Sequence, residues 1–197
     1  MKTADQTLEF EAALARARCI VSPNFDDRPA NTPVSLIIIH AISLPPARFG
    51  GDSIIRLFTN QLDPCAHPYF QAIARIRVSS HFLVRRDGEL IQFVSCRHRA
   101  WHAGESSWNG RAHCNDFSIG IELEGCDDLP FEAIQYSVLD DLICFICERE
   151  PIDAIAGHSD ISPGRKTDPG PFFDWNRLLW TGKIACRGHV GKDDMPA

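Results

Sequence analysis

Between Gly157 and Pro171 the chain sets His158, Lys166 and Asp168 in one segment punctuated by Pro163, Gly164, Pro169, Gly170 and Pro171. Proline fixes φ and lowers the entropy lost on folding, and glycine opens turns that other residues resist. Such a segment can hold a geometry with no helix or strand beneath it. Imidazole and carboxylate groups are zinc ligands, and an ammonium can stabilise a developing oxyanion. Taken alone, the same residues also suit a solvated surface loop.

A hydrolytic zinc commonly has three protein ligands and one open position. His40, at the end of an apolar run, joins His158 and Asp168 to offer two imidazoles and one carboxylate. Zinc held there would lower the pKa of a water to about 7 and polarise a substrate carbonyl. Glu122 lies between Ile121 and Leu123, where burial without a role would be costly. It can take a proton from the attacking water and pass it to a leaving nitrogen. Lys166 can face the tetrahedral oxyanion.

Each residue has a plainer reading. His40 also suits a hydrogen-bonded core histidine. Glu122 and Glu124 share a strand face, and one or both suit rim charges. Asp168 before Pro169 suits the start of a turn. His81 and His102 are further imidazoles that rank behind Asp168 as ligands. His81 suits a supporting place behind the ligands, and His102, between Trp101 and Ala103, the lining of a groove. No HExxH and no GxSxG occurs, and the 157–166 spacing does not fit a phosphate loop.

The elements that must position these groups are legible in pattern. Residues 34–40 and 117–124 read as buried central strands. Segments 78–86 and 89–94 flank Asp87-Gly88, a hairpin signal. Residue 154 opens a short strand that leads into the proline-rich loop. Helices are expected over 5–18, 53–60, 67–76, 131–150 and 172–180. The fourth of these carries Ile134, Val138, Leu142 and Ile146 on one face. Residues 43–52 and 97–114 read as loops. The order of elements predicts an α/β (mixed α+β) fold, a central mixed β-sheet flanked by helices in a single domain. His40, Glu122 and His158 all fall near strand ends, where α/β proteins place ligands. Residues 1–21 read as an N-terminal extension, 22–181 as the domain, and 182–197 as a disordered tail.

A chain of 197 residues with 44% hydrophobic content suits one domain with a real core. A net charge of −6 argues against general nucleic-acid binding. No apolar run reaches membrane-spanning length. The N-terminal residues lack the apolar core of a secretory signal, so a cytoplasmic location is expected. The eight cysteines are then expected as reduced thiols. Cys144 and Cys147 form a CxxC in an apolar helix and read as buried packing rather than a redox or zinc pair.

Several segments in order carry a resemblance: SLIIIHAISLPPARFGG (35–51), DPCAHPYF (63–70), RVSSHFLVRRDGELIQFV (77–94), RAWHAG (99–104), CNDFSIGIELEG (114–125) and GHSDISPGRKTDPGPFFDW (157–175). The chain resembles the zinc-dependent N-acetylmuramoyl-L-alanine amidases, a family that includes peptidoglycan recognition proteins. It is most similar to the cytosolic AmpD-type branch, which cuts anhydro-muropeptides. The resemblance implies one Zn²⁺ on His40, His158 and Asp168, with Glu122 and Lys166 as catalytic residues. It implies an arginine, Arg77, near the anionic peptide of the substrate. His102, His113 and Arg165 join the expected substrate contacts, and a monomer is the expected state. Ala41, His113 and Ser159 depart from the family's usual asparagine, arginine and cysteine. His113 matters most, since imidazole is only partly charged near neutral pH. The implied reaction is hydrolysis of the amide between anhydro-N-acetylmuramic acid and L-alanine. The rivals are a wall-fragment binding module without catalysis and a lytic amidase acting on intact wall.

Overall fold

A computed structural model describes residues 17–180. The expected helix over 5–18 and the tail from 182 lie outside the described residues, except for the last positions of the former. Arg18, the last of them, belongs with Cys19 to a short strand, β1 (Arg18–Cys19), instead of helix. After β2 (Phe25–Asp27) comes the first long strand, β3 (Leu36–Ile42), which runs two residues beyond His40. Helices α1 (Ser53–Phe58) and α2 (Pro68–Ile73) follow. Pro68 opens α2, and the His67 side chain caps it by accepting from the Tyr69 N–H at 3.1 Å.

The Asp87-Gly88 hairpin is present, joining β4 (Phe82–Val84) to β5 (Leu90–Gln92). Gly88 has a φ of +88°, and an added Cβ would stand 2.6 Å from Ile134 Cγ1. The 97–114 segment is more ordered than a loop: it holds β6 (His98–Ala100), β7 (Ser107–Trp108) and β8 (Arg111–Ala112). A 3₁₀ turn over Cys114–Asp116 then enters β9 (Ser118–Glu124). Helix α3 (Ala133–Cys147), strand β10 (Ala154–Gly157) and the one-turn α4 (His158–Ile161) complete the frame.

The main sheet has the order β1-β5-β4-β9-β3-β10. Only the β4–β5 hairpin pair is antiparallel, so the sheet is mixed as expected. Alternation along the central strands divides its faces. Ile37, Ile39, Ile119, Ile121 and Leu123 face α3 and form one core with Leu139, Leu142, Ile143 and Ile146. Each such side chain contributes about 1.5–3 kcal/mol when fully buried. On the other face Leu36 and Ile38 pack with Ala103, Trp108 and Ile161, while Leu83 and Ile91 pack with Leu57 and Phe58. That second face also carries Ser118, Gly120, Glu122 and Glu124 along β9. Apolar residues on one side and small or acidic ones on the other make β9 a wall between core and site.

Further expectations differ. The inward face of α3 runs through Tyr136, Leu139, Leu142, Ile143 and Ile146, whereas Ile134 is 46% exposed and covers the Gly88 turn. Cys144 is exposed and Cys147 half-buried, so the CxxC is not the buried pair expected. The seven described cysteines form no disulfide with one another. The expected helix over 172–180 is only a 3₁₀ turn at Trp175–Arg177, started by Asp174, which accepts from the Asn176 N–H. A helix of nine residues gains few hydrogen bonds against the cost of its nucleus. Among the described residues, no helix is long and apolar enough to cross a membrane.

Candidate metal and catalytic site

Three adjacent parallel strands deliver the site. In the β3–β9 register His40 stands directly opposite Glu122, and Gly157, the last residue of β10, stands opposite Ile39. His158 therefore emerges beside His40 at the C-terminal edge of the sheet, where parallel strands commonly meet ligands. The proline-rich segment folds back so that the Ser159 N–H donates to the Asp168 carbonyl at 2.9 Å. Pro169 then lies against Gly157, where an added Cβ would meet Pro169 Cδ at 2.9 Å. This close approach brings Asp168 to the two histidines.

The three polar groups converge. His40 Nδ1 lies 2.9 Å from His158 Nδ1 and 3.1 Å from Asp168 Oδ2, and His158 Nδ1 lies 3.0 Å from the same oxygen. The outer nitrogens decide what those inner atoms carry. His158 Nε2 faces the Ala103 carbonyl at 3.1 Å, which can only accept, so the proton is on Nε2. His40 Nε2 faces His102 Nδ1 at 2.9 Å, and His102 Nε2 faces Ser118 Oγ at 3.3 Å. The Ser118 hydroxyl donates to the Cys114 carbonyl at 2.6 Å, so it accepts from His102. His102 Nδ1 is then bare and accepts from His40 Nε2–H. Burial pushes the His40 pKa down to about 4, against the pull of Asp168, so the ring is neutral at pH 7.

Two bare Nδ1 atoms and a carboxylate oxygen thus point at one another. Three lone pairs at one point call for a cation. Atoms about 2.0–2.2 Å from a tetrahedral zinc stand roughly 3.3 Å apart, close to the observed separations. His40, His158 and Asp168 are the one group of described residues with metal-ligand spacing.

Glu122 is buried, with 9% of its surface exposed. Its Oε2 has no hydrogen-bond partner. Burial first, and then the Asp168 charge, push its pKa well above the ordinary value, while Lys166 pulls it down. Burying an unpaired carboxylate commonly costs several kcal/mol, so a purely structural role does not account for it. Lys166 lines the same groove, about 450 Å³ in volume, with His40, Glu122, His158 and Asp168. Its walls include Leu44 and Pro46 from the 43–52 loop and Tyr69, Ile73 and Ile76 around α2.

Burial of Glu122 sets an expected stability trend. Its folded pKa is raised, so folding favours the protonated form; stability is full below the unfolded pKa and declines as pH rises through the folded one. Metal-free Glu122→Gln escapes that decline. Its unfolding midpoint should match the unsubstituted protein near about pH 4 and exceed it near about pH 7.5. Thermal unfolding of both metal-free proteins at the two pH values checks this, and a pH-independent gap contradicts it.

The other expected residues fall in different places. Glu124 is no rim charge: it is buried and accepts from the Gly50 N–H at 2.6 Å and the Arg86 N–H at 3.2 Å. It thereby pins the end of the 43–52 loop. His81 is buried behind His102, the ring centroids 5.5 Å apart, with Nδ1 accepting from the Gly120 N–H and Nε2 facing the His98 carbonyl. Arg77 is exposed between Ile76 and Val78, both of which line the groove. His113 and Arg165 line a separate cavity of about 890 Å³. The Arg165 guanidinium donates to the Ala103 carbonyl at 2.9 Å, the same carbonyl that holds His158. Ser118 and Asp127 went unread in the sequence. Asp127 lines the groove and accepts from the Thr167 hydroxyl at 2.7 Å, holding the loop that carries Lys166 and Asp168. Period-two alternation from Glu122 back through Gly120 is the signal for Ser118.

Comparison with known families decides the class. The family model for N-acetylmuramoyl-L-alanine amidase matches residues 30–171, which hold every one of these groups. The chain belongs to the N-acetylmuramoyl-L-alanine amidase family. As such it is an amide hydrolase, and its likeness is to the AmpD type. It is 54% identical to the 1,6-anhydro-N-acetylmuramyl-L-alanine amidase AmpD of Citrobacter freundii, over 85% of this chain and 91% of the relative. A crystal structure of a selenomethionine AmpD derivative superposes with a TM-score of 0.82 at 52% identity, covering 87% of this chain and 97% of that one. The amidase AmiD of E. coli, solved in complex with anhydro-N-acetylmuramic acid-L-Ala-D-γ-Glu-L-Lys, matches with a TM-score of 0.55 at 29% identity. That match covers 79% of this chain and 64% of AmiD.

Proposed function

We propose that this amidase is zinc-dependent and hydrolyses the amide between 1,6-anhydro-N-acetylmuramic acid and L-alanine in soluble wall-turnover fragments. We place that activity in the cytoplasm. One observation carries the metal reading: two bare imidazole nitrogens and a carboxylate oxygen converge within about 3 Å beside an unpartnered buried glutamate. Likeness to the AmpD amidases supports the substrate, as does the anhydro-muramoyl peptide bound to AmiD.

His40, His158 and Asp168 would hold the ion, and zinc so bound supplies a Lewis acid and a water of lowered pKa. Glu122, aligned with His40 on the neighbouring strand, takes the proton of the attacking water and returns it to the leaving alanine nitrogen. Its raised pKa suits both halves of that shuttle, because a proton accepted there is readily carried. Lys166, which lines the same groove, offers an ammonium that would favour the oxyanion over the neutral carbonyl. The apolar walls of the groove suit the non-reacting parts of the fragment, and Arg77 at its margin suits a stem-peptide carboxylate.

Lys166→Ala tests the oxyanion role. We expect kcat to fall by about 10²–10³ with KM little changed. Zinc content should stay at the unsubstituted level, because a protonated lysine is not a ligand. Unchanged kcat with a raised KM on anhydro-muropeptide would make Lys166 a binding residue only.

A further inference from the structure

We infer that His102, held by Ser118, is a positioning residue for the metal site: it fixes the tautomer and the ring plane of His40. The inference rests on the zinc reading above and deepens it. Metal-bound histidines usually anchor their outer N–H on a carboxylate, a carbonyl or water. His158 follows that pattern through the Ala103 carbonyl. His40 does not. Its outer nitrogen meets a second imidazole, His102, at 2.9 Å, with the rings edge-on at 86°.

An imidazole can do this work only in one tautomer. His102 must present a bare Nδ1 to His40 and carry its own proton on Nε2. If the proton sat on Nδ1, His40 would have to accept at Nε2 and carry its own proton on Nδ1, where no lone pair would be left for a metal. Ser118 makes the choice. Its hydroxyl proton is committed to the Cys114 carbonyl at 2.6 Å, so its oxygen is left to accept from His102 Nε2. The order runs Cys114 carbonyl, Ser118, His102, His40, and ends on the bare Nδ1 that faces Asp168.

The surroundings are shaped for that ring. Backbone N–H groups of His102 and Ala103 both donate to Asn115 Oδ1, at 3.2 and 2.8 Å. Arg28 ties the same region together by donating to the carbonyls of Asn115, Asp116 and Ser118. Gly120 lies beneath the ring: an added Cβ would stand 2.5 Å from His102 Cγ. Glycine at 120 is required by this approach, since its own φ is not in the left-handed region. His102 borders the groove, but both of its ring nitrogens are turned to His40 and Ser118. This points to a role behind the metal ligand, in place of the substrate contact expected from its loop.

Three variants test the relay, each measured for zinc affinity by competition with a chromophoric chelator and for KM on anhydro-muropeptide. His102→Phe keeps a flat ring but accepts no hydrogen bond; zinc affinity should fall about 10–100-fold. His102→Asn puts an amide oxygen where Nδ1 was and should hold affinity within a few-fold of the unsubstituted protein. Ser118→Ala leaves the groove untouched, since Ser118 is fully buried, yet should lower zinc affinity while leaving KM unchanged. Should His102→Phe fail to fold, Ser118→Ala and His102→Asn carry the test. Full zinc affinity in Ser118→Ala, or raised KM with full zinc affinity in the His102 variants, would overturn the relay and leave the zinc reading intact. Absence of zinc binding by the unsubstituted protein would overturn the zinc reading itself.

Discussion

His40→Ala should lose the metal and all measurable amidase activity. Two ligands rarely hold a catalytic zinc. The substitution also removes the donor to His102, so the whole line from Ser118 loses its end. The fold should survive, because the sheet is held by backbone pairing and by the apolar face packed on α3, to which His40 does not belong. Elemental analysis beside circular dichroism checks this. A folded variant with one full equivalent of zinc would remove His40 from the ligand set.

Glu122→Gln should do the opposite to the metal and nearly the same to the rate. Zinc should stay, and kcat should fall by about 10²–10⁴, the range for a lost general acid–base. Glutamine fills the same space and cannot carry the proton between water and leaving nitrogen. The carboxylate has no structural partner to lose at Oε2, so the effect should be kinetic rather than a matter of folding. Single-turnover rates on a defined anhydro-muropeptide, with zinc measured in the same preparation, separate the roles. Loss of zinc from Glu122→Gln would make Glu122 a ligand and reopen the place of Asp168.

Those two variants test a proposed division of one short stretch of sheet into ligand and base, and the placement of both residues was legible in the sequence. Strand periodicity placed His40 and Glu122 at strand ends, and the 157–171 segment carried the remaining chemistry. Their convergence follows from register: three parallel strands in the order β9, β3, β10 leave no other place for these side chains. What escaped the sequence depended on distant packing. His102 sits in a loop between Trp101 and Ala103, and nothing local says that its ring lies over Gly120. Glu124, which shares a strand face with Glu122, also suits a rim charge in the sequence, yet the 43–52 loop folds over it. The face of α3 was misjudged because Ile134 covers a hairpin turn that its own helix does not predict. The last expected helix is only a 3₁₀ turn, since so short a segment gains few hydrogen bonds against the cost of its nucleus.

The central claim is that this chain hydrolyses the muramoyl–alanine amide with zinc on His40, His158 and Asp168. The most direct measurement incubates the purified protein with a defined 1,6-anhydro-N-acetylmuramoyl peptide and identifies the products by mass. One sample keeps its metal, one is stripped with a chelator, and one is stripped and reloaded with zinc. Anhydro-N-acetylmuramic acid and a stem peptide with a free L-alanine amine should form in the first and third samples, and not in the second. Equal turnover after verified zinc removal, or cleavage at any other bond, would contradict the account.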